Sequence, residues 1–371
     1  MATIVASALL LGACSTAQID TGKGLCRVLG DASAPTDAPV TAQGTSDAKI
    51  GLVTDVGTLD DKNFNQFSWE GAQLGAQLAG APEPQAIVTA SSDDYASNIQ
   101  SFVDQGYNVI VSVGFALGAA TLEAAQANPD IHFVGVDQFQ GNDPTGNYES
   151  LIFSEQQAGY LAGIVAGSIT KSNDIAAIGG SGTIPPVVNY MRGFENGAKS
   201  VNADVTVHLK YISNDLGVAF NDPTTGKSFA DQFISQNADT DVMFQVAGKT
   251  GNGVLQAVEA AGIYGIGVDV DQWNSTHDSA ECIVTSAEKK LKKAVSDAIV
   301  AFADGSPRDS NVFYGADNDG IGLAPFYQFA DLITSDIQGK IDDAYAAMAA
   351  GTLDPCQPSN LCYAGAEDTG N

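Results

Sequence analysis

Basic residues are scarce: 16 Lys and Arg stand against 44 Asp and Glu in 371 residues, a net charge of −28. A surface that acidic repels DNA, RNA and anionic lipid, so a nucleic acid polymer is excluded as the expected partner. The three histidines are scattered, and neither His-Glu-x-x-His nor Cys-x-x-Cys occurs, which removes the usual zinc arrangements. A serine nucleophile elbow is absent, since "GGSGT" (179–183) lacks the spacing. "GKTGNG" (248–253) contains Gly-Lys-Thr, but Met243 stands where a P-loop needs its first glycine. A Gly turn opening the next helix, with backbone N–H groups free for a ligand, accounts for it better. No Gly-x-Gly-x-x-Gly follows "IGLVTDVG", and "DNDG" (317–320) lacks the calcium-loop spacing and reads as a solvated turn. No nucleophile and base suggest themselves, so neither catalysis nor a cofactor is expected.

What the chain does have is 40 glycines and a steady alternation from Lys49 onward. Strand-like runs such as "KIGLVTDV", "NVIVSVGFA" and "IHFVGVDQF" are apolar throughout and are separated by stretches with helical spacing, such as "YASNIQSFVDQGY". That pattern predicts a parallel sheet covered by helices on both faces. It restarts after "NYESLIFSEQQ", with strands at "IAAIGGSG", "DVTVHLKYI", "DVMFQVAG" and "GIGVDVDQW". Residues 111–139 and 244–273 share a strand, a Gly turn, a helix and a strand ending in Gly-Val-Asp. Such an internal repeat predicts two doubly wound lobes facing one another across a cleft, with ligands outside the carboxyl ends of the strands. "KLKKAVSDAIVAFADG", the most basic stretch, and "NVFYGADNDGIGLAPF" are read as crossings back to the first lobe and again to the second. The expected division is 49–150 with 283–310 as the first lobe, 151–282 with 311–353 as the second, and 354–371 as a tail.

Residues 1–14, "MATIVASALLLGAC", carry an apolar run too short to span a bilayer as a helix. The run looks like the core of a secretory signal, although no Lys or Arg precedes it. Leu11-Gly12-Ala13-Cys14 resembles the lipobox of bacterial lipoproteins, which implies a lipid on Cys14 and a protein held outside the cytoplasm at the membrane. Residues 15–48 have linker composition, with a reach of roughly 30 Å. Within them "GLCRVL" has the character of a segment that docks on the body. Cys26, Cys282, Cys356 and Cys362 remain for two disulfides, with three connectivities open; the short spacing of the last pair suits one bridge.

The stretch "VTDVGTLDDKNFNQFSWEG" (53–71) gathers acids, amides and aromatics at the end of one strand. Such residues recognise a ligand rather than transform it: an Asp accepts two hydrogen bonds from a vicinal diol, and a Phe face stacks on a planar base. Two Asp and two Phe drawn from both lobes would suit a nucleoside. Each has a simpler reading too: Asp60 and Asp61 as caps of the following helix, Phe67 and Trp69 as core, Lys289 as a solvated residue at a helix start.

Together "VTDVGTLDDKNFNQFSWEG", "NIQSFVDQGYNVIVSVGF", "AAQANPDIHFVGVD", "RGFENGAKSVN", "AGKTGNGV" and "GVDVDQ" resemble the basic membrane protein family, PnrA-like purine-nucleoside-binding lipoproteins that serve ABC importers. The likeness runs from about Lys49 to the helix after Thr285. It implies a type I periplasmic-binding-protein fold of two Rossmann-like lobes, a nucleoside ligand, a permease partner and hinge closure. By motif, Asp55 stands as the acid at the first strand end, Phe64 as one stacking ring, and Asn65 as an amide for the base edge. Asp137 is a polar contact from the first lobe, and Phe115 in "VGF" a lining residue. Phe220, followed by Asp222-Pro223, resembles the second ring. Gly248 matches the turn that approaches the ligand, Asp269 the ribose-binding acid, and Lys289 the Lys of Thr-Ser-x-x-Lys, with Lys290 an equal structural candidate. Sugar binding by the same fold, a nucleoside-sensing surface lipoprotein and, less readily, a nucleoside-processing enzyme are the competing readings.

Overall fold

The computed structural model describes residues 24–29, 41–42, 44–141, 145–308, 310–357, 362–363 and 365–371. The signal segment with Cys14 and most of the 15–48 linker lie outside the described residues. The first run of the chain is β1 (Ile50–Thr54), α1 (Phe64–Ala79), β2 (Gln85–Ile87), α2 (Tyr95–Asp104), β3 (Val109–Val113), α3 (Gly118–Ala127), β4 (His132–Val136) and β5 (Tyr148–Phe153). The second is α4 (Glu155–Ile169), β6 (Asp174–Gly179), α5 (Pro185–Val201), β7 (Thr206–Tyr211), α6 (Leu216–Asn221), α7 (Pro223–Gln236), β8 (Val242–Val246), α8 (Gly248–Ala261), β9 (Tyr264–Asp269), α9 (Gln272–Ser275) and β10 (Ile283–Lys289). It is followed by α10 (Leu291–Ala303), β11 (Asn311–Tyr314), β12 (Ile321–Leu323) and α11 (Ser335–Ala349).

Two six-stranded sheets result, ordered β2-β1-β3-β4-β5-β11 and β7-β6-β8-β9-β10-β12. All neighbours are parallel except β12, which runs antiparallel to β10. The matching strand order is the repeat seen in the sequence. β1, β3, β4, β8 and β9 are buried along their whole length. This is why their sequences show no polar alternation: helices cover both faces of the sheet.

The pairing corrects the expected lobe boundaries. β10 (within 283–310) joins β9 in the second sheet, and β11 (within 311–353) joins β5 in the first. The chain stays in the second lobe until Lys290, then sends α10 against α1, adds β11 to the first sheet, and crosses back between β11 and β12. Strand β5 fills the interval "NYESLIFSEQQ", where the sequence reading placed only a restart, and α6 precedes α7 where one helix was read.

The crossings are hydrogen-bonded to one another. Ser154 N donates to Tyr314 O (2.9 Å) and Lys290 N to Gly320 O (3.0 Å). Gln157 Oε1 accepts from Ala316 N (2.8 Å). Helix α4, almost entirely buried, lies directly on α5. Their approach is set by glycine: a Cβ at Gly163 would stand 2.1 Å from Phe194 O. The buried apolar cluster includes residues of both sheets and of α4, α5 and α10.

Of the three connectivities open on the sequence, the structure has Cys26–Cys282 and Cys356–Cys362. The "GLCRVL" segment docks on the second lobe. Leu25 N donates to Gly262 O (3.0 Å) and Arg27 N to Glu281 O (2.9 Å), while Arg27 also bonds Gln328 O (2.7 Å) and pairs with Asp331.

Candidate functional site

A cleft holding about 710 Å³ of non-protein space, its open mouth included, lies between the lobes at the carboxyl ends of the strands. All nine residues singled out by sequence line it: Asp55, Phe64, Asn65, Phe115, Asp137, Phe220, Gly248, Asp269 and Lys289.

Asp137 follows β4 and Asp269 ends β9, the corresponding strands of the two sheets. Both have left-handed backbone, with φ of 60° and 65°. That conformation costs a non-glycine residue on the order of 1 kcal/mol or more and is concentrated at functional positions. Asp137 leaves one buried oxygen, Oδ1, without a hydrogen bond among the described residues, while Asp269 Oδ1 faces the Lys289 ammonium.

Lys289, the last residue of β10, sits between them. Its Nζ lies 2.6 Å from Asp137, 3.4 Å from Glu155 and 3.5 Å from Asp269. It also lies 5.0 Å from the centre of the Phe64 ring and 5.7 Å from that of Tyr190. Burial pulls this ammonium down, but the three carboxylates outweigh burial and hold its pKa above the ordinary lysine range. Burial raises Asp269 to about 6, with Lys289 opposing. Glu155 is pushed to about 8 by burial, again against Lys289. Asp55 rises to about 7, first through burial and then through the charge of Asp137. Its carboxylate accepts from Val56 N (2.7 Å) and Ala116 N (3.3 Å).

Phe64 is the first residue of α1, and Asp61 fixes that helix start by accepting from the N–H groups of Asn63, Asn65 and Gln66 at 2.8, 2.9 and 3.0 Å. Asp61 therefore caps the helix, and it also lines the cleft. Asn65 donates to Val56 O (2.8 Å), and its buried Oδ1 has no hydrogen bond among the described residues. Phe67 and Trp69 pack against the core instead. Phe220 enters from the second lobe against Gly180, where a Cβ would lie 2.3 Å from the ring. Gly248, with φ of 52°, opens α8 beside it. Phe115 is 41% exposed. Lys290 pairs with Glu288 (2.7 Å) and does not line the cleft, so of the two lysines only Lys289 enters it.

The lobes touch at the rim. Lys249 Nζ donates to Thr58 Oγ1 (3.0 Å), Asn252 Nδ2 to Asp61 O (2.9 Å) and Ser275 Oγ to Lys62 O (2.6 Å). Sequence reasoning missed the wall formed by Ile184, Pro186, Val187, Tyr190, Leu216 and Val246. For Tyr190 a signal was available: Pro185-Pro186 starts a helix straight after a Gly-rich strand end, so its first turns face the same side as the other strand-end residues. Glu155 had none beyond its place after a strand. Among the described residues, no three His, Cys, Asp or Glu gather as a metal site.

Two mostly parallel sheets of matching order, joined by crossings beneath a shared cleft, define a two-lobed solute-binding protein of the type I periplasmic-binding-protein fold. A crystal structure of an ABC transporter system solute-binding protein from Aeropyrum pernix superposes with a TM-score of 0.75, covering 84% of this chain and 95% of that one at 23% identity. Residues 48–347 match the family described as ABC transporter substrate-binding protein PnrA-like, and the chain belongs to that family. Relatives include the ABC transporter nucleoside-binding protein BmpA of Lactococcus lactis, 30% identical over 84% of this chain and 91% of that protein. The CD4+ T-cell-stimulating antigen of Listeria monocytogenes is 30% identical over 95% of this chain and 96% of its own length.

Proposed function

We propose that this substrate-binding protein captures a nucleoside, a purine one, in the cleft and delivers it to the permease of an ABC importer. One observation carries the reading: Phe64 and Phe220 reach a single cavity from opposite lobes, and Asp137 and Asp269 line the same cavity, also one from each lobe. The two rings suit a flat heterocycle, at about 1–3 kcal/mol for a stacked base. The acids suit ribose hydroxyls, at roughly 1.5–3 kcal/mol for each charge-assisted bond. Asn65 Oδ1 and Asp55 suit the polar edge of the base. Lys289 opposes the burial that raises Asp269 and so favours its ionised, accepting form. The name of the Lactococcus relative supports a nucleoside over a free sugar.

In this reading the lobes close about the crossings at Ser154, Lys290 and 315–320, and closure removes water from both ring faces. The lipid on Cys14 holds the protein at the outer face of the membrane. Residues 24–29, stapled to the second lobe, continue the tether. The protein binds its ligand without transforming it. Mass spectrometry of co-purified ligand, with calorimetric titration of inosine, guanosine, adenosine, ribose and galactose, tests the proposal. Tight binding of a nucleoside and none of the free sugars is expected. Tight sugar binding with no nucleoside binding, or turnover of inosine, would overturn it.

A further inference from the structure

The last residues of the chain lie beyond residue 347, where the family match ends, yet they bond to the loops that lead into the cleft wall. Arg192 of α5 is buried, and its Nε and Nη2 donate to the two carboxylate oxygens of Asp368, each at 2.6 Å. A bidentate guanidinium–carboxylate pair fixes orientation as well as distance. Asp368 N donates to Gly182 O (2.9 Å), and a Cβ on Gly182 would lie 1.9 Å from Asp368 O, so the two backbones are in close contact. Glu367 Oε1 accepts from Asn214 Nδ2 (2.8 Å), and Asn214 Oδ1 accepts from Ser181 Oγ (2.8 Å). Asn371 N donates to Leu209 O (3.3 Å) and its Oδ1 accepts from Leu209 N (2.8 Å), which seals the open edge of β7.

The two loops held in this way are those that lead into the second-lobe wall. The Ser181–Thr183 turn runs into Ile184, Pro186 and Val187, and Asn214 immediately precedes the helix carrying Leu216 and Phe220. We infer that Glu367 and Asp368 are positioning residues of the ligand site: the carboxyl-terminal tail is a strut that holds the Phe220 side of the cleft at the width its ligand requires. The inference rests on the nucleoside reading of that cleft. The tail acts through these loops.

The test uses the full chain with Glu367→Ala and, separately, Asp368→Asn, with inosine, guanosine and adenosine as probes. Dissociation constants and association and dissociation rates are measured well below each variant's melting temperature. Glu367 is exposed, so its removal spares the fold if Asp368→Asn does not. The expected result is a dissociation constant raised by about five-fold or more, carried by faster dissociation with association little changed. A lowered melting temperature with unaltered dissociation rates would mean that the tail only stabilises the lobe, and would overturn the inference. Should the unaltered chain bind none of the three nucleosides, the reading of the site fails, and the ligand-related part of the inference falls with it. Binding by the unaltered chain with equal rates in both variants sinks the strut alone.

Discussion

Asp269 keeps a charge in a place that disfavours charge. Burial raises it to about 6, and the Lys289 ammonium prevents a larger rise. Its carboxylate is then a strong acceptor, and losing one charge-assisted bond of roughly 1.5–3 kcal/mol weakens a ligand about ten-fold or more. Asp269→Ala is therefore expected to raise the nucleoside dissociation constant by about ten-fold or more with the fold intact, as read by calorimetry and circular dichroism. Asp55 supplies a pH signature in the unliganded protein. Its folded-state value of about 7 lies above the ordinary 3.8, so the folded chain binds this proton more tightly than the unfolded chain. That contribution to stability is complete at low pH and is lost as pH rises toward 7. Between about pH 4 and 7 the wild type should lose melting temperature relative to Asp55→Asn, and a gap that does not change with pH would contradict the assignment. The lining residues were legible in part because the sequence crowds Asp, Asn and Phe at one strand end and repeats Gly-Val-Asp at another; Phe115, Phe220, Gly248 and Lys289 were reached only through the family resemblance. Glu155 was not, since its role depends on a crossing that brings it under Lys289, and nothing in "FSEQQ" records that contact.

The alternation of apolar runs and amphipathic stretches revealed most elements, because buried parallel strands and their covering helices have different periods. It failed where an element is short or mixed. β5 carries Glu149 and Ser150 within its run, and β11, "NVFY", is only four residues long, so neither looks like a buried strand. α4 and α5 were visible as helices, but their closeness was not. The row Gly159, Gly163 and Gly167 on one helix meets Tyr190, Phe194 and Ala198 on the other. Gly163→Ala forces a methyl onto the Phe194 carbonyl and should destabilise the protein by about 1–3 kcal/mol in urea titration. A neutral result would mean that the pair can separate without cost.

The matching sheets and the hydrogen-bonded rim describe a molecule whose lobes can meet over a ligand. Loss of the Lys249–Thr58, Asn252–Asp61 and Ser275–Lys62 bonds would let the rims part. Adding nucleoside to ligand-free protein is expected to reduce the radius of gyration in X-ray scattering, and Asn252→Ala with Lys249→Ala should weaken that contraction; an unchanged radius would argue against hinge closure. The sequence announced two lobes through its repeat but misplaced their exchange points, because a strand that adds to the far sheet looks the same as one that stays. The bond between Cys26 and Cys282 has a mechanical consequence. Any pull from ahead of Cys26 is delivered to the second lobe, not to β1. If the proposed lipid moors the amino terminus, one half is made fast and the other free, and the proposed opening becomes a swing of the first lobe away from a berthed partner.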